Sequence, residues 1–127
     1  MKLLKLLTAS SVVVTGLVGT VPALAQMLRI NNVRKIHQLY SENELAAKTK
    51  FHGKTAIVSG RVDRVADSEL IIEGNGEFGR LFCIFSNADV DKVIALRTDA
   101  RVTVAGTLDL SPALFGLSLK MNNCRVQ

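Results

Sequence analysis

Residues 54–63 constrain the fold of this chain more than any other stretch. Every second residue is apolar or small, a period of two that is typical of a β-strand with one face against a core: Ala56, Val58, Gly60 and Val62. Asp63 and Arg64 put this pattern out of step before Val65, which predicts a bulge or bend. We interpret the stretch as the first strand of a small closed barrel.

The same motif returns later in the chain. Residues 58–63 read V-S-G-R-V-D, and residues 104–109 read V-A-G-T-L-D. Glycine weakens a strand, so Gly60 and Gly106 at equivalent positions indicate a shared structural need, such as a sharp coil where a barrel turns a corner. Chance is the alternative explanation for so short a motif.

Periodicity divides the rest of the chain into helices and strands. A helical pattern at 33–53 places Asn43 on its apolar face, where a buried polar side chain needs hydrogen-bond partners. The strongest turn signal is Gly74-Asn75-Gly76. The predicted segments, in order, are this helix, strands at 54–63, 70–72 and 80–85, a helix at 88–96, and strands at 101–110 and 115–126 joined by a Ser111-Pro112 turn.

This order of segments is that of the OB-fold, a small five-stranded Greek-key barrel. We predict a mainly β chain with two helices: a five-stranded OB-fold barrel preceded by an N-terminal helix, with the second helix between strands 3 and 4. The length of 127 residues suits one domain. The third and fifth strands lie near each other in such a barrel, so Cys83 and Cys124 can meet there.

The two cysteines favour a disulfide bond, because an even count is typical of an exported protein. Two buried free thiols are the alternative. A metal site is less favoured, since neither cysteine has a histidine or a second cysteine nearby in the sequence. We predict no metal and no cofactor.

Residues 1–25 have the features of a secretory signal peptide. Lys2 and Lys5 precede an apolar run, and Ala23-Leu24-Ala25 has the small-x-small cleavage pattern. An uncleaved membrane anchor is the alternative, but the run is shorter than the roughly 20 residues that span a bilayer.

Cleavage between Ala25 and Gln26 would release a periplasmic or secreted protein without a membrane span. We then expect a loose leader at 26–32 and one domain at 33–127. The formal charge is +5 for the whole chain. Six positive residues lie early in the mature chain, where they suit either a solvated helix face or an anionic partner: Arg29, Arg34, Lys35, Lys48, Lys50 and Lys54.

Short motifs along residues 33–126 resemble a known family. They are Asn43-Glu44-Leu45-Ala46-Ala47, Lys50-Phe51, Gly53-Lys54, Val58-x-Gly60-x-Val62, Leu81-x-Cys83-x-Phe85, Val102-x-Val104-x-Gly106 and Leu119-x-x-x-x-Cys124. Together they resemble the tRNA_anti-like group of exported bacterial OB-fold proteins. The resemblance implies the OB-fold and export. It supplies no catalytic residues and does not imply that the chain binds tRNA.

An enzymatic function has little support in the sequence. The two histidines are His37, on a helix face predicted to be exposed, and His52, in a predicted loop. Gly74-x-Gly76-x-x-Gly79 matches the dinucleotide fingerprint, but it joins two strands, whereas the fingerprint needs a helix after it. We therefore predict a protein that is not an enzyme.

The best-supported function is a binding module for an unknown protein or envelope component, since OB barrels carry adaptable loops on a rigid frame. The candidate surface is the groove between strands two and three together with the loop from Gly74 to Gly79. The predicted ligand-binding residues are Arg61, Arg64, Arg80 and Phe82. Binding of single-stranded nucleic acid or an oligosaccharide in this groove is one alternative. A structural or stress-protective role is another. The oligomeric state is left open.

Overall fold

The computed structural model describes residues 27–73 and 79–127. The predicted signal peptide and the predicted Gly74-Asn75-Gly76 turn lie outside these residues. The elements are β1 (Leu28–Ile30), α1 (Arg34–Glu42), α2 (Glu44–Phe51), β2 (Thr55–Val65), β3 (Glu69–Ile72), β4 (Leu81–Phe85), a 3-10 turn (Asn87–Asp89) that leads into α3 (Val90–Ile94), β5 (Arg101–Ala113) and β6 (Gly116–Val126).

Five of the strands close a barrel. The sheet order is β1-β2-β3-β4-β6-β5, and β2 also pairs with β5. All pairs within the barrel are antiparallel except β4 with β6, which run parallel. With α3 between the third and fourth barrel strands, this is the OB-fold that the order of segments predicts.

Within the barrel, strand β2 pairs with two different strands along its length. Its first half, from Thr55 to Arg61, pairs with β5, and its second half, from Val62 to Val65, pairs with β3. The register shifts between Val62 and Arg64, where the sequence pattern predicts a bulge. The bulge increases the local twist, so that one strand can follow the curvature of a closed barrel.

The two repeated glycines lie where strands approach closely. A Cβ atom on Gly60 would lie 2.6 Å from Cγ2 of Ile72. A Cβ atom on Gly106 would lie 2.6 Å from Cγ of Met121 and 2.7 Å from the backbone oxygen of Asn122. Ile72 lies on β3, next to β2, and Met121 and Asn122 lie on β6, next to β5. A side chain at either glycine would therefore collide with the neighbouring strand of the sheet, so glycine is needed here for lack of space.

The segment at 26–32, expected to be a loose leader, contains strand β1. Leu28, Arg29 and Ile30 pair in parallel with residues 56–58 of β2. Ile30 is buried and Leu28 packs against the core. Three residues are too few for a period of two to stand out in the sequence, so only the tertiary contact reveals the strand.

Asn43 divides the predicted N-terminal helix into two. Its backbone is extended, with φ −156° and ψ 92°, and its side chain accepts a hydrogen bond from the Ala46 N–H at 3.0 Å. Asn43 is therefore the N-cap of α2 and is exposed, not a polar member of a buried face as the spacing predicts. Residues 27–73 and 79–127 contain three short α-helices, because the expected N-terminal helix is divided at Asn43.

The barrel interior and the inner faces of α1 and α2 form one core. A disulfide bond joins Cys83 on β4 to Cys124 on β6 inside it, which confirms the predicted pairing. The Cα atoms are 5.4 Å apart and the bond spans 41 positions of the sequence. Both cysteines are fully buried. None of the helices within 27–73 and 79–127 is long and apolar enough to cross a membrane.

Candidate ligand surface at the β5–β6 hairpin

On the outer face of the barrel, four residues paired across neighbouring strands form a row with two apolar side chains between two cationic ones. The paired residues are Arg64 on β2, Ile71 on β3, Phe82 on β4 and Lys120 on β6. The neighbours of Ile71 and Phe82 along their strands point into the core, so these two side chains point outward. Ile71 is 2% exposed and lies outside the core cluster, whereas Phe82 is half-buried.

The structure brings three of the four predicted ligand-binding residues to this face. Arg64 and Phe82 belong to the row. Arg80 comes two residues before Phe82, directly before β4, and both residues line the same cavity. Nε of Arg80 lies 3.0 Å from Oδ2 of Asp63, so the carboxylate of Asp63 balances the charge of Arg80. Asp63 is the residue at the β2 bulge. Arg61 lies apart, directly opposite Arg101 on β5.

Among residues 27–73 and 79–127, the most exposed large apolar side chains lie at the turn between β5 and β6. We expected a turn at Ser111-Pro112, but β5 continues through Pro112 and pairs with β6 as far as Ala113 and Gly116. Leu114 and Phe115 form the two-residue turn, and they are 89% and 77% exposed. Gly116 has φ +102°, a conformation that favours glycine and fits the tight turn.

This hairpin overhangs a cavity of about 270 Å³. Its apolar wall comes from β4, the hairpin and the start of β6, and its polar groups are few. The lining residues are His37, Gly79, Arg80, Phe82, Ala113, Leu114, Phe115, Leu117 and Ser118. A small cavity with apolar walls and a few polar groups suits one buried ligand side chain with a fixed orientation.

His37 holds the helix side of the cavity in place. We expected an exposed side chain, but His37 is half-buried, and its Nε2–H donates a hydrogen bond to the backbone oxygen of Arg80 at 2.9 Å. Burial lowers the pKa of His37 below its usual value, although the bond to Arg80 opposes this shift. His37 is therefore a neutral tether between α1 and the strand that carries Phe82.

The lowered pKa of His37 predicts a loss of stability in acid. The folded protein favours the neutral ring, so its contribution is complete above the unfolded pKa of about 6.5 and is lost as the pH falls through the lower folded pKa. We expect chemical denaturation to show a larger loss of stability between about pH 7.5 and pH 5 in the wild type than in His37→Gln. Glutamine keeps an N–H donor but does not titrate, so parallel pH curves for the two proteins would contradict this role.

The other histidine is also part of the backbone framework. Nδ1 of His52 accepts a hydrogen bond from the Leu110 N–H at 3.0 Å and lies 3.8 Å from Oδ1 of Asp109. This bond links the end of α2 to β5. Among residues 27–73 and 79–127, no group of three His, Cys, Asp or Glu side chains is placed to hold a metal ion.

Asp89 is a buried carboxylate whose structural role the sequence did not reveal. It is 1% exposed and accepts hydrogen bonds from the Val126 N–H at 2.8 Å and from Nε of Arg125 at 3.2 Å. The Val126 N–H bond is the main cause of its lowered pKa, and Arg125 adds to it. The sequence pattern predicts that Asp89 lies in the first turn of a helix and gives no further role. In the structure, its hydrogen bonds join the start of α3 to the end of β6.

Comparison with known proteins gives structural likeness alone. Neither a protein-family model nor a curated protein sequence matches the chain. A solved lipoprotein from Klebsiella pneumoniae, provisionally described as nucleic acid-binding, is similar with a TM-score of 0.56 and 22% identity, over 84% of this chain and 96% of that chain.

Two further solved structures are more distant. Replication protein A of U. maydis, bound to single-stranded DNA, has a TM-score of 0.43 and 17% identity over 80% of this chain and 74% of that chain. The hypothetical protein ygiW from E. coli has a TM-score of 0.41 and 12% identity over 65% of this chain and 85% of that chain. Strand order, closure and the likeness to the Klebsiella lipoprotein together identify the chain as an OB-fold barrel with two N-terminal helices and an added edge strand.

Proposed function

We propose that the protein is an exported, non-enzymatic OB-fold module of the bacterial envelope that binds an extended segment of another envelope protein. The observation that carries the proposal is the apolar hairpin tip, Leu114 and Phe115, beside an apolar cavity. Membership of the tRNA_anti-like group is part of the proposal, and the motifs at 43–62 and 81–124 support it.

Exposed apolar side chains at a hairpin tip favour a protein ligand. Adjacent exposed apolar residues beside a cavity are typical of interaction sites, and aromatic side chains contribute much of the binding energy at protein interfaces. Phe115 at the tip and Phe82 on the cavity wall supply two aromatic contacts. A ligand side chain in the cavity would contact both strands of the hairpin.

The charges in the cavity favour a polypeptide ligand over a nucleic-acid strand. Of the residues that line the cavity, Arg80 carries a positive charge, and this charge is paired with Asp63. His37 also lines the cavity, but it is neutral. A nucleic-acid strand needs several unpaired cations along its backbone. A polypeptide needs apolar contacts and a few hydrogen bonds, which this cavity offers.

Export rests on two independent features. Residues 1–25 have the signal-peptide pattern, and Cys83 is bonded to Cys124. Disulfide bonds persist in oxidising compartments such as the periplasm. Both features support a mature protein that works outside the cytoplasm.

The test is a peptide-binding assay with matched surface variants. Peptides selected from a displayed random library are expected to contain apolar residues and to bind the wild type in fluorescence anisotropy. Leu114→Ser with Phe115→Ser should weaken binding by at least about tenfold, because the apolar anchor is lost. Both side chains are exposed, so stability should change by less than about 0.5 kcal/mol for each.

The chain offers a control with the same chemistry elsewhere. Leu45 is 76% exposed and Ile94 is 72% exposed, and neither lines the hairpin cavity. Leu45→Ser with Ile94→Ser removes a similar exposed apolar area, and we expect binding within about twofold of the wild type. Equal loss in both double variants, or no peptide enrichment at all, would contradict the proposal and leave a structural role in the envelope as the better explanation.

Single-stranded nucleic acid is a second candidate ligand, favoured by the row in which Arg64 and Lys120 lie on either side of Ile71 and Phe82. Base stacking on one aromatic ring with cations nearby is a feature of OB-fold complexes with single strands. Lys120 lies opposite Asp109, which weakens this attraction. A gel-shift titration decides: retardation at low salt that Arg64→Glu removes would support nucleic acid, and no retardation at low salt would exclude it.

A further inference from the structure

A second cleft lies between β1 and the two N-terminal helices. Its volume is about 520 Å³, within the range of small-molecule sites. The lining residues are Leu28, Arg29, Ile30, Asn31, Asn32, Lys35, Ile36, Leu39, Lys50 and Phe51. None of them lines the cavity under the β5–β6 hairpin.

The floor of this N-terminal cleft is apolar. Ile30, Ile36 and Phe51 are at most 9% exposed, and each belongs to the core cluster. Leu28 and Leu39 are half-buried and pack against the same core. The cleft thus has a hydrophobic base built by β1, α1 and α2 together, which an alkyl chain would contact along its length.

The rim of the cleft is positively charged. Arg29, Lys35 and Lys50 are exposed, and no Asp or Glu is among the lining residues. Within the described parts of the chain, none of these three cations forms an ion pair. Nζ of Lys50 lies 5.4 Å from the ring centroid of Phe51, so this charge is positioned where rim and floor meet.

From this arrangement we propose that the cleft binds a single-chain amphipathic anion, a long-chain carboxylate in the simplest case. Its alkyl chain lies on the floor, and its carboxylate is held by Arg29, Lys35 and Lys50. Arg29, Lys35 and Lys50 are three of the six positive residues near the start of the mature chain. The fold places these three at the rim of the cleft, above its apolar floor. Charge-assisted hydrogen bonds to Arg and Lys give the site its preference for anions.

Displacement of a fluorescent fatty acid, cis-parinaric acid, tests the site in the purified protein. We expect saturable binding that palmitate competes away. Palmitate methyl ester and a long-chain alkylammonium should compete at least about tenfold less well, because they lack the negative charge. Added salt should weaken palmitate and leave the ester unchanged, since it screens the exposed cations.

Two variants in the first turn of α1 provide a matched comparison. Lys35 lines the cleft and Arg34 does not, although both are exposed and adjacent. Lys35→Glu should weaken palmitate binding by at least about tenfold, whereas Arg34→Glu, with the same change in net charge, should stay within about twofold. Lys50→Gln should also weaken binding, by removal of charge without reversal.

Four outcomes would overturn the proposal. They are no saturable binding, equal competition by acid and ester, equal loss in Lys35→Glu and Arg34→Glu, and co-sedimentation with anionic phospholipid vesicles without uptake of free palmitate. The last would make the cleft part of a membrane-surface patch instead of a site for one ligand molecule.

Discussion

Gly106→Val is expected to lower the free energy of unfolding by about 3 kcal/mol. The new Cβ would lie 2.6 Å from Cγ of Met121 and 2.7 Å from the backbone oxygen of Asn122, and valine adds two methyl groups beyond it. A rotamer change can move Met121 but not the backbone of β6, so the two strands would have to separate. Overpacking typically costs about 1 to 3 kcal/mol, and the backbone contact places this variant at the upper end of that range. Urea denaturation followed by circular dichroism measures the loss against the wild type.

The other glycine provides the comparison. At Gly60 the single close neighbour is a side-chain methyl group of Ile72, which can yield more easily than backbone. We therefore expect Gly60→Ala to destabilise the protein less than Gly106→Ala, and Gly60→Val to damage folding without a separate effect on ligand binding. Equal costs at the two positions, or a Gly106→Val variant as stable as the wild type, would contradict the close approach of β5 and β6.

Removal of the disulfide is expected to produce the second large loss of stability. The bond joins β4 to β6 across 41 positions of the sequence, and in the chain-entropy model a loop of this size stabilises by about 4 kcal/mol. Cys83→Ala with Cys124→Ala should therefore lower the free energy of unfolding by about that amount. Both sulfurs are fully buried, so the lost packing adds to the effect.

Reduction of the wild type supplies the control for this experiment. With dithiothreitol present during unfolding, the wild type should lose close to the same stability, and the double variant should not respond. If reduction leaves the free energy of unfolding of the wild type unchanged, the bond does not stabilise the protein, which would contradict this prediction. A single variant is unsuitable, because it leaves a free buried thiol that can pair between molecules.

The barrel could be predicted from sequence because its signals are local and repeated. The alternation at 54–63, the echoed glycine motif and the order of segments together point to one small closed sheet. Strand β1 escaped prediction because Leu28–Ile30 gains its strand geometry from pairing with β2. The break in the helix at Asn43 was not predicted for another reason. The buried residues on either side of it, Tyr40 and Ala47, are seven positions apart, which is the spacing of one continuous helix.

The candidate site was less accessible to prediction than the fold. Of the four residues predicted to bind a ligand, Arg61 lies apart from Arg64, Arg80 and Phe82, and whether any of them binds a ligand stays a prediction. The ion pair between Arg80 and Asp63 depends on the β2 bulge and has no sequence signal. The hairpin tip was missed because Pro112 suggested a turn three residues too early. Gly116, directly after two apolar residues, is the signal that could have located the turn.

His37 shows why exposure is hard to infer for a single helix. Its position opposite the buried side of α1 predicted a solvated ring, and a helix in isolation would leave it so. The start of β4 covers that side instead and offers the backbone oxygen of Arg80 as an acceptor. The environment of His37 thus follows from how the helix packs on the barrel, which no local pattern encodes.

Site-specific photo-crosslinking in cells tests the proposed binding function most directly. A benzophenone amino acid is placed at Phe115 or, as a control of similar exposure, at Leu45. The proposal predicts a discrete crosslinked polypeptide from position 115 alone, and an excess of the selected peptide should abolish it. No adduct at position 115, or the same adduct from position 45, would contradict the claim that the β5–β6 hairpin is the binding surface.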